Sequence, residues 1–112
     1  IADLTAPGRY SYWFAPRYRS YAGREEALPV DAHMLLALIA PRPMLLVNGT
    51  EDLWSDSRGE VLAAEAARPI YAAYGAGGNL QVHTHSGGHE LLPEDLARMV
   101  AFMQTHFGDP AS

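Results

Sequence analysis

The sequence contains no cysteine, and all eight of its basic residues are arginine. Without cysteine, the chain has neither disulfides nor thiolate chemistry, and its redox compartment stays open. The formal net charge of −5 argues against a nucleic-acid or anionic-membrane surface. No stretch approaches the roughly 20 apolar residues that a membrane span requires. These absences favour an ordinary globular protein.

A recognisable serine nucleophile is also missing. The sequence has no G-x-S-x-G motif, and none of its serines stands in a strand-to-helix elbow. Ser86 lies in a glycine turn beside His89 and is too close in sequence to be its nucleophile partner. The chain alone is therefore not expected to be a serine hydrolase. Because it begins with Ile1 rather than methionine, we expect it to be one piece of a longer protein.

The residues around which the chain is organised follow a short apolar run. Met44 to Val47 is continuously apolar, which is typical of a strand buried on both faces of a parallel sheet. A turn at 48–50 follows, and then Glu51, Asp52 and Trp54. Ligands of open α/β sheets bind beyond the carboxyl ends of the strands. The sequence therefore predicts a functional site at this point.

A second strand leads to a histidine. Residues 80–85 alternate as a strand does and run into Ser86-Gly87-Gly88 and His89. The glycines allow a sharp turn that leaves the imidazole exposed, as a general base requires, and Asp52 is the natural carboxylate to orient it. A strand ending in an acid, a helix and a strand ending in a histidine is the order of the last two triad members in an α/β-hydrolase. The alternative is a histidine that only bonds the backbone of a turn.

Helices are predicted around these strands. Asp31 is a candidate N-cap for a helix through Ile39, and Asp56 for a helix over 57–67 with Glu60 and Glu65 on its outer side. Pro69 is predicted to break that helix before a second, short one over 70–74 that ends at Gly75. The last helix is predicted to begin at Pro93 and to close at Gly108, with one apolar face. That face contains Leu96, Met99, Val100, Met103 and Phe107.

The predicted fold class is α/β. Residues 30–112 give the order helix, strand, helix pair, strand, helix, and residues 1–29 form an aromatic and arginine-rich excursion. The excursion is either satellite core or a binding wall. Two strands alone leave sheet edges and a helical face uncovered. We therefore expect residues 1–112 to be the C-terminal portion of a single, mostly parallel domain that is incomplete on its own.

Several polar and aromatic residues have two interpretations. His83, His85 and His89 form H-x-H-x₃-H, but no carboxylate is spaced to complete a metal site, so we expect no metal. Glu51 is either a solvated neighbour of Asp52 or a polar contact to substrate. Trp54 is either a core lid over the strand end or part of the wall of a pocket.

Four segments together resemble a known family. They are Y-W-F-A-P-R-Y-R-S-Y (12–21), L-P-V-D-A-H-M-L-L-A-L-I-A-P-R-P (28–43), N-G-T-E-D-L-W-S-D-S-R-G-E (48–60) and G-G-H-E (87–90). They resemble the C-terminal third of glucuronoyl methylesterases of carbohydrate esterase family 15, especially the bacterial branch. The W-F…P-R-Y segment joined to L-P-x-D-x-H is the most specific part of this resemblance.

The resemblance implies a three-layer α/β-hydrolase sandwich and hydrolysis of the ester between 4-O-methyl-glucuronate of xylan and a lignin alcohol. His89 matches the triad histidine, and Trp54 matches a tryptophan that contacts glucuronate. The acid is either Asp52 or a glutamate outside this chain. The nucleophilic serine would come from the N-terminal remainder of the same domain. The resemblance implies no metal or organic cofactor, and a secreted or periplasmic location.

Other classes of function remain open at this point. The chain is also compatible with another α/β-hydrolase, such as an acetylxylan esterase or a prolyl-oligopeptidase-like peptidase. A non-catalytic fragment or a binding module that uses the aromatic excursion is the alternative from outside the enzymes.

Overall fold

The computed structural model describes residues 1–108 and divides into two compact units, the first Ile1–Asp31 and the second beginning at Ala32. The first unit consists of three short 3₁₀ helices, Ser11–Trp13, Pro16–Tyr21 and Glu25–Ala27. Its aromatic rings pack on one another, with the ring centroids of Phe14 and Tyr18 5.0 Å apart and stacked. Pro16 occupies the first helical position, where a missing N–H costs nothing.

The second unit contains a two-stranded parallel sheet and three α-helices. Its elements, in chain order, are α1 (Ala32–Ala37), β1 (Met44–Gly49), α2 (Ser57–Ala73), a 3₁₀ turn (Gly77–Asn79), β2 (Leu80–His85) and α3 (Pro93–Phe107). Met44 lies opposite Leu80 in the sheet, and Gly49 lies opposite His85. Both strands therefore end at the same edge. In the part of the chain that the structure describes, no helix has the length and apolarity that crossing a lipid bilayer requires.

The core of this unit forms between α2 and the sheet. Ala64, Ala67 and Tyr71 are fully buried and pack with Leu80 at the start of β2. The spacing of i, i+3 and i+7 places the three residues on one face of α2. The two alanines allow the helix to approach the sheet closely, and Tyr71 fills the space beyond them. The start of β2 therefore packs against one face of α2.

The predicted double burial of β1 is not observed. Met44 to Val47 are only half-buried, and the two fully buried positions of β1 are Asn48 and Gly49. The sheet has two strands within residues 1–108, so each strand has one unpaired edge there. The apolar run nevertheless forms a strand as predicted, but β1 continues through Asn48 and Gly49, which were predicted to belong to the turn. The bounds of β2 are those predicted.

The predicted break at Pro69 is wrong, because α2 continues through it to Ala73. A proline inside a helix removes one backbone hydrogen bond and crowds the preceding turn. Burial of Ala67 and Tyr71 on either side of Pro69 compensates for that loss. Arg68 adds a hydrogen bond from Nη1 to the carbonyl oxygen of Leu80, 3.0 Å away, which ties the same turn to β2. Packing therefore outweighs the local preference. The helix ends as predicted, with Gly75 in a left-handed conformation.

The buried face of α3 differs from its apolar stripe. Asp95 and Phe102 are buried, and Met99 and His106 are half-buried. The apolar side chains of Leu96, Val100, Met103 and Phe107 are each more than half exposed. The helix therefore packs on β1 and β2 through a face that includes a carboxylate.

The continuous α2 predicts the effect of removing its internal proline. Pro69→Ala restores an N–H that can bond the carbonyl of Glu65, so we expect the free energy of unfolding to rise by roughly 1–3 kcal/mol in urea denaturation. Pro93→Ala is the matched control, because the first N–H of a helix has no intrahelical partner. A Pro69→Ala variant no more stable than the parent would mean that the chain does break at this residue.

Candidate functional site

Two backbone hydrogen bonds join the loops that follow β1 and β2. The N–H of Thr50 donates to the carbonyl oxygen of His85 at 2.9 Å, and the N–H of Glu51 donates to that of Gly87 at 2.7 Å. The loops also touch at Gly49, where a Cβ would collide with the carbonyl oxygens of Gly87 and Gly88. Only glycine allows this approach. The parallel pairing of the strands therefore continues into the loops that carry the predicted site residues.

Asp52 lies in the first loop as a buried carboxylate with four hydrogen-bond donors. Its Oδ1 accepts from the backbone N–H groups of Trp54 at 2.9 Å and Ser55 at 3.3 Å. Its Oδ2 lies 2.5 Å from the hydroxyl of Ser55 and 2.7 Å from Nδ1 of His89. The Ser55 hydroxyl, followed by His89 and the two N–H groups, lowers the pKa of Asp52 well below its ordinary value of 3.8, against the opposing effect of burial. Asp52 is therefore ionised at neutral pH.

His89 lies in the second loop and is open to solvent, with 70% of its side chain exposed. The hydrogen bond to Asp52 and the charge of that carboxylate raise the pKa of His89 above 6.5, and Glu60 and Glu90 add smaller contributions in the same direction. Because Asp52 is an acceptor, the neutral ring carries its proton on Nδ1 and has its lone pair on Nε2. Nε2 can therefore take a proton while Asp52 stabilises the resulting imidazolium.

The two pKa shifts set the pH range over which the pair stabilises the fold. The contribution of Asp52 is present above pH 3.8 and is lost as the pH falls through its lowered folded-state pKa. The contribution of His89 is present below pH 6.5 and is lost as the pH rises through its raised folded-state pKa. The ion pair therefore stabilises the fold most between these two ordinary values.

Glu60 does not lie on the outer side of α2 as predicted. It is half-buried, and its Oε2 accepts a hydrogen bond from Nδ2 of Asn48 at 2.9 Å. Asn48 is buried at the end of β1, so this bond joins the first turn of α2 to the strand. Glu60 is thereby held near the Asp52–His89 pair, which accounts for its electrostatic effect on His89. Glu65 is exposed on the outer side, as predicted.

Trp54 and Glu51 are both at the surface beside this pair. Trp54 is 77% exposed and its neighbour Leu53 is 96% exposed, so neither is a core residue within the described chain. The backbone N–H of Trp54 donates to Oδ1 of Asp52 at 2.9 Å, which fixes the main chain of the loop at this residue. Glu51 bonds the second loop through its backbone N–H, and its side chain is exposed. Both side chains are accessible to a bound molecule.

The three clustered histidines do not converge on one point. His89 bonds Asp52, whereas His83 and His85 face the buried carboxylate of Asp95. Sequence reasoning did not identify Asp95 as a buried residue near the site. Leucine is not a capping residue, so the sequence held no capping-box signal for the contact in which Oδ2 of Asp95 accepts the backbone N–H of Leu92 at 2.7 Å. Burial raises the pKa of Asp95, but hydrogen bonds from the Leu92 N–H and from His85 outweigh it and lower the pKa overall.

The fold and the site together define a class of protein. Two parallel strands joined by a crossover helix, with Asp52 after the first and His89 after the second, are the C-terminal part of an α/β-hydrolase. A family model described as "Glucuronyl esterase, fungi" matches residues 4–75. The chain belongs to this glucuronyl esterase family.

Similar proteins agree with this assignment. A carbohydrate esterase from an unknown prokaryotic organism is 35% identical over 87% of the chain and 26% of its own length. A 4-O-methyl-glucuronoyl methylesterase of Phanerochaete carnosa is 36% identical over 86% of the chain and 24% of its own length. The chain thus spans about a quarter of the length of these two relatives.

Solved structures show the same fold. A promiscuous CE15 esterase from a marine bacterial metagenome superimposes with a TM-score of 0.87 at 32% identity, over 96% of this chain and 30% of that one. The glucuronoyl esterase from Solibacter usitatus gives a TM-score of 0.81 at 30% identity, over 94% and 30% of the two chains. The predicted fold class and the predicted family are therefore confirmed.

The dependence of His89 on Asp52 can be measured directly. In Asp52→Asn the charge is lost, so we expect the pKa of His89, followed by NMR titration of its imidazole, to fall towards 6.5. Glu51→Gln is the matched control, because it neutralises the adjacent, exposed carboxylate and should leave the pKa of His89 nearly unchanged. Equal shifts in the two variants would contradict a specific Asp52–His89 bond.

Proposed function

We propose that the protein is a serine-type carbohydrate esterase that hydrolyses the ester between 4-O-methyl-glucuronate of xylan and lignin alcohols. The observation that carries the proposal is the 2.7 Å contact between Nδ1 of His89 and Oδ2 of Asp52 in a chain of the glucuronyl esterase family. The catalytic residues are His89 and Asp52, and the substrate-binding residues are Trp54 and Glu51. No metal or organic cofactor takes part in the proposed reaction.

In the proposed reaction the nucleophile is a serine outside these 112 residues, supplied by the N-terminal remainder of the same domain. Nε2 of His89 accepts the serine proton as the serine oxygen bonds to the ester carbonyl carbon. The tetrahedral intermediate collapses, the bond to the alcohol breaks, and the alcohol leaves with the proton from Nε2. Water then repeats the sequence on the acyl-serine and releases the glucuronate. Asp52 stays ionised throughout, because its four donors favour the charged form.

Trp54 and Glu51 are proposed to form a wall for the glucuronate. Both follow β1 directly and are exposed beside the Asp52–His89 pair. An indole packs against a sugar ring through its apolar face, and a carboxylate accepts hydrogen bonds from sugar hydroxyls. The exposure of Trp54 supports this role over that of a core residue.

The substrate and setting are part of the same proposal. The partners are a glucuronoxylan–lignin ester and the remainder of the hydrolase domain, and a secreted or periplasmic location would place the enzyme with that substrate. The exposed apolar stripe of α3, at Leu96, Val100, Met103 and Phe107, supports packing against further parts of the domain. Neither a nucleic acid nor a membrane is a proposed partner.

The proposal is tested by the activity of the enzyme that contains this chain together with its serine-bearing portion. We expect hydrolysis of benzyl glucuronate in preference to p-nitrophenyl acetate and to dipeptide substrates. His89→Ala should lower kcat on the order of 1,000-fold or more, because the base is lost. His106→Gln, a change at a half-buried histidine in the last turn of α3, is the control. Turnover within about tenfold of the parent in His89→Ala would reject the assignment.

The role of Trp54 is tested by separating binding from chemistry. If the indole contacts the glucuronate in the ground state, Trp54→Ala should raise KM for glucuronate esters about tenfold with a smaller effect on kcat. Acetate esters should be hardly affected. Because Trp54 is 77% exposed, the free energy of unfolding should change by less than about 0.5 kcal/mol. Leu53→Ala is the matched neighbour, and an equal rise in KM there would contradict a specific contact of Trp54.

A further inference from the structure

A second histidine–carboxylate pair lies at the end of β2, and the proposed reaction does not use it. His85 is 3% exposed and Asp95 is fully buried. Nδ1 of His85 lies 3.1 Å from Oδ1 and 3.0 Å from Oδ2 of Asp95. A buried ionisable pair costs desolvation energy unless its hydrogen bonds are satisfied. The hydrogen bonds of the buried His85–Asp95 pair must therefore offset this cost.

The carboxylate of Asp95 connects the two ends of the segment that carries His89. Its Oδ2 accepts the backbone N–H of Leu92 at 2.7 Å, immediately before α3. The carboxylate also contacts His85, the last residue of β2, and its Oδ1 lies 3.2 Å from Nε2 of His83. His89 belongs to the connection between His85 and Leu92. Both ends of that short connection are thus fixed to a single buried group.

The ring of His85 also lies close to the two loops, next to Gly49 and Gly87. Among residues 1–108 its buried Nε2 has no hydrogen-bond partner, so the ring is held by Nδ1 and by packing. A Cβ at Gly49 would lie only 2.8 Å from Nε2, and a Cβ at Gly87 would lie 3.4 Å from Cδ2. Gly49 precedes the loop of Asp52, and Gly87 belongs to the loop of His89. The imidazole of His85 therefore packs against the point where the loop of Asp52 meets the loop of His89.

We infer that His85 and Asp95 are positioning residues, which hold the connection between β2 and α3 so that Nδ1 of His89 stays within hydrogen-bond distance of Asp52. Neither residue touches the reacting atoms, and both act through His89. The inference rests on the proposed function, in which His89 is the base. A side chain at position 85 that cannot bond Asp95 frees one end of the connection and lets His89 move away from its partner.

The test compares two substitutions of His85 in the complete enzyme. His85→Leu removes the donor to Asp95, whereas His85→Asn can place an amide N–H near the position of Nδ1. For His85→Leu we expect kcat on benzyl glucuronate to fall about 100-fold with KM within about twofold, because a misplaced base affects chemistry more than binding. The pKa of His89 from NMR should fall towards 6.5. His85→Asn should restore most of the loss in kcat and most of the fall in the pKa of His89. His106→Leu, which changes a half-buried histidine in the last turn of α3, is the control and should leave kcat and the pKa of His89 unchanged.

A purely structural role predicts different results. The melting temperature would then fall in His85→Leu, while kcat and the pKa of His89 in the folded enzyme stayed at parental values, and that outcome overturns the inference. A loss in His85→Asn equal to that in His85→Leu overturns it too. If His85→Leu does not fold, Asp95→Asn takes its place, since it keeps the side-chain shape and one acceptor oxygen. Parental kcat and an unchanged pKa of His89 in Asp95→Asn then reject the inference.

The failure of the proposed function is distinguishable from the failure of this inference. If His89→Ala retains ester hydrolysis, the proposed function is wrong, and the NMR measurement of His89 still shows whether His85 positions it. If His89→Ala is inactive while His85→Leu matches the parent in kcat and in the pKa of His89, the proposed function stands and His85 is not a positioning residue.

Discussion

The parallel pairing of β1 with β2, in the register that sets Gly49 opposite His85, determines the geometry of everything that follows the strands. Because side chains alternate between sheet faces, a slip of one residue would move His85 from the face that meets Asp95 of α3 to the opposite face. The same slip would separate Thr50 from the carbonyl of His85 and Glu51 from that of Gly87. Asp52 and His89 are 37 residues apart in sequence and meet only because this register continues beyond the sheet.

The register is fixed in turn by the way α2 lies on the sheet. Ala64 and Ala67 bring the helix close, and Tyr71 meets Leu80 at the first residue of β2. Arg68 bonds the carbonyl of that same leucine, so the start of β2 is held by both an apolar and a polar contact. A helix that stopped at Pro69 would lose Tyr71 from this arrangement. Continuity of α2 therefore matters for the site, although none of its buried residues touches Asp52 or His89.

The sequence was sufficient to predict both strands, the last helix and the two loops that face each other, because these depend on local patterns. The apolar run before Asn48, the alternation over 80–85 and the glycines before His89 each have a short-range physical cause. The continuity of α2, the inward position of Glu60 and the meeting of Asp95 with His85 could not be predicted in this way. Each depends on a partner at least ten residues away, such as Asn48 for Glu60, and the energy of that contact outweighs the local preference.

The hydrogen bonds around Asp52 have a consequence for how the site responds to a change of charge. Both carboxylate oxygens already face donors, two of them backbone N–H groups of the loop itself. Water would have to rotate to stabilise a positive charge appearing on His89, whereas these dipoles are oriented before the charge arrives. The loop around Asp52 therefore provides preorganised dipoles, whose orientation is set when the chain folds. The contribution of this loop to the reorganisation energy of protonating His89 is therefore small.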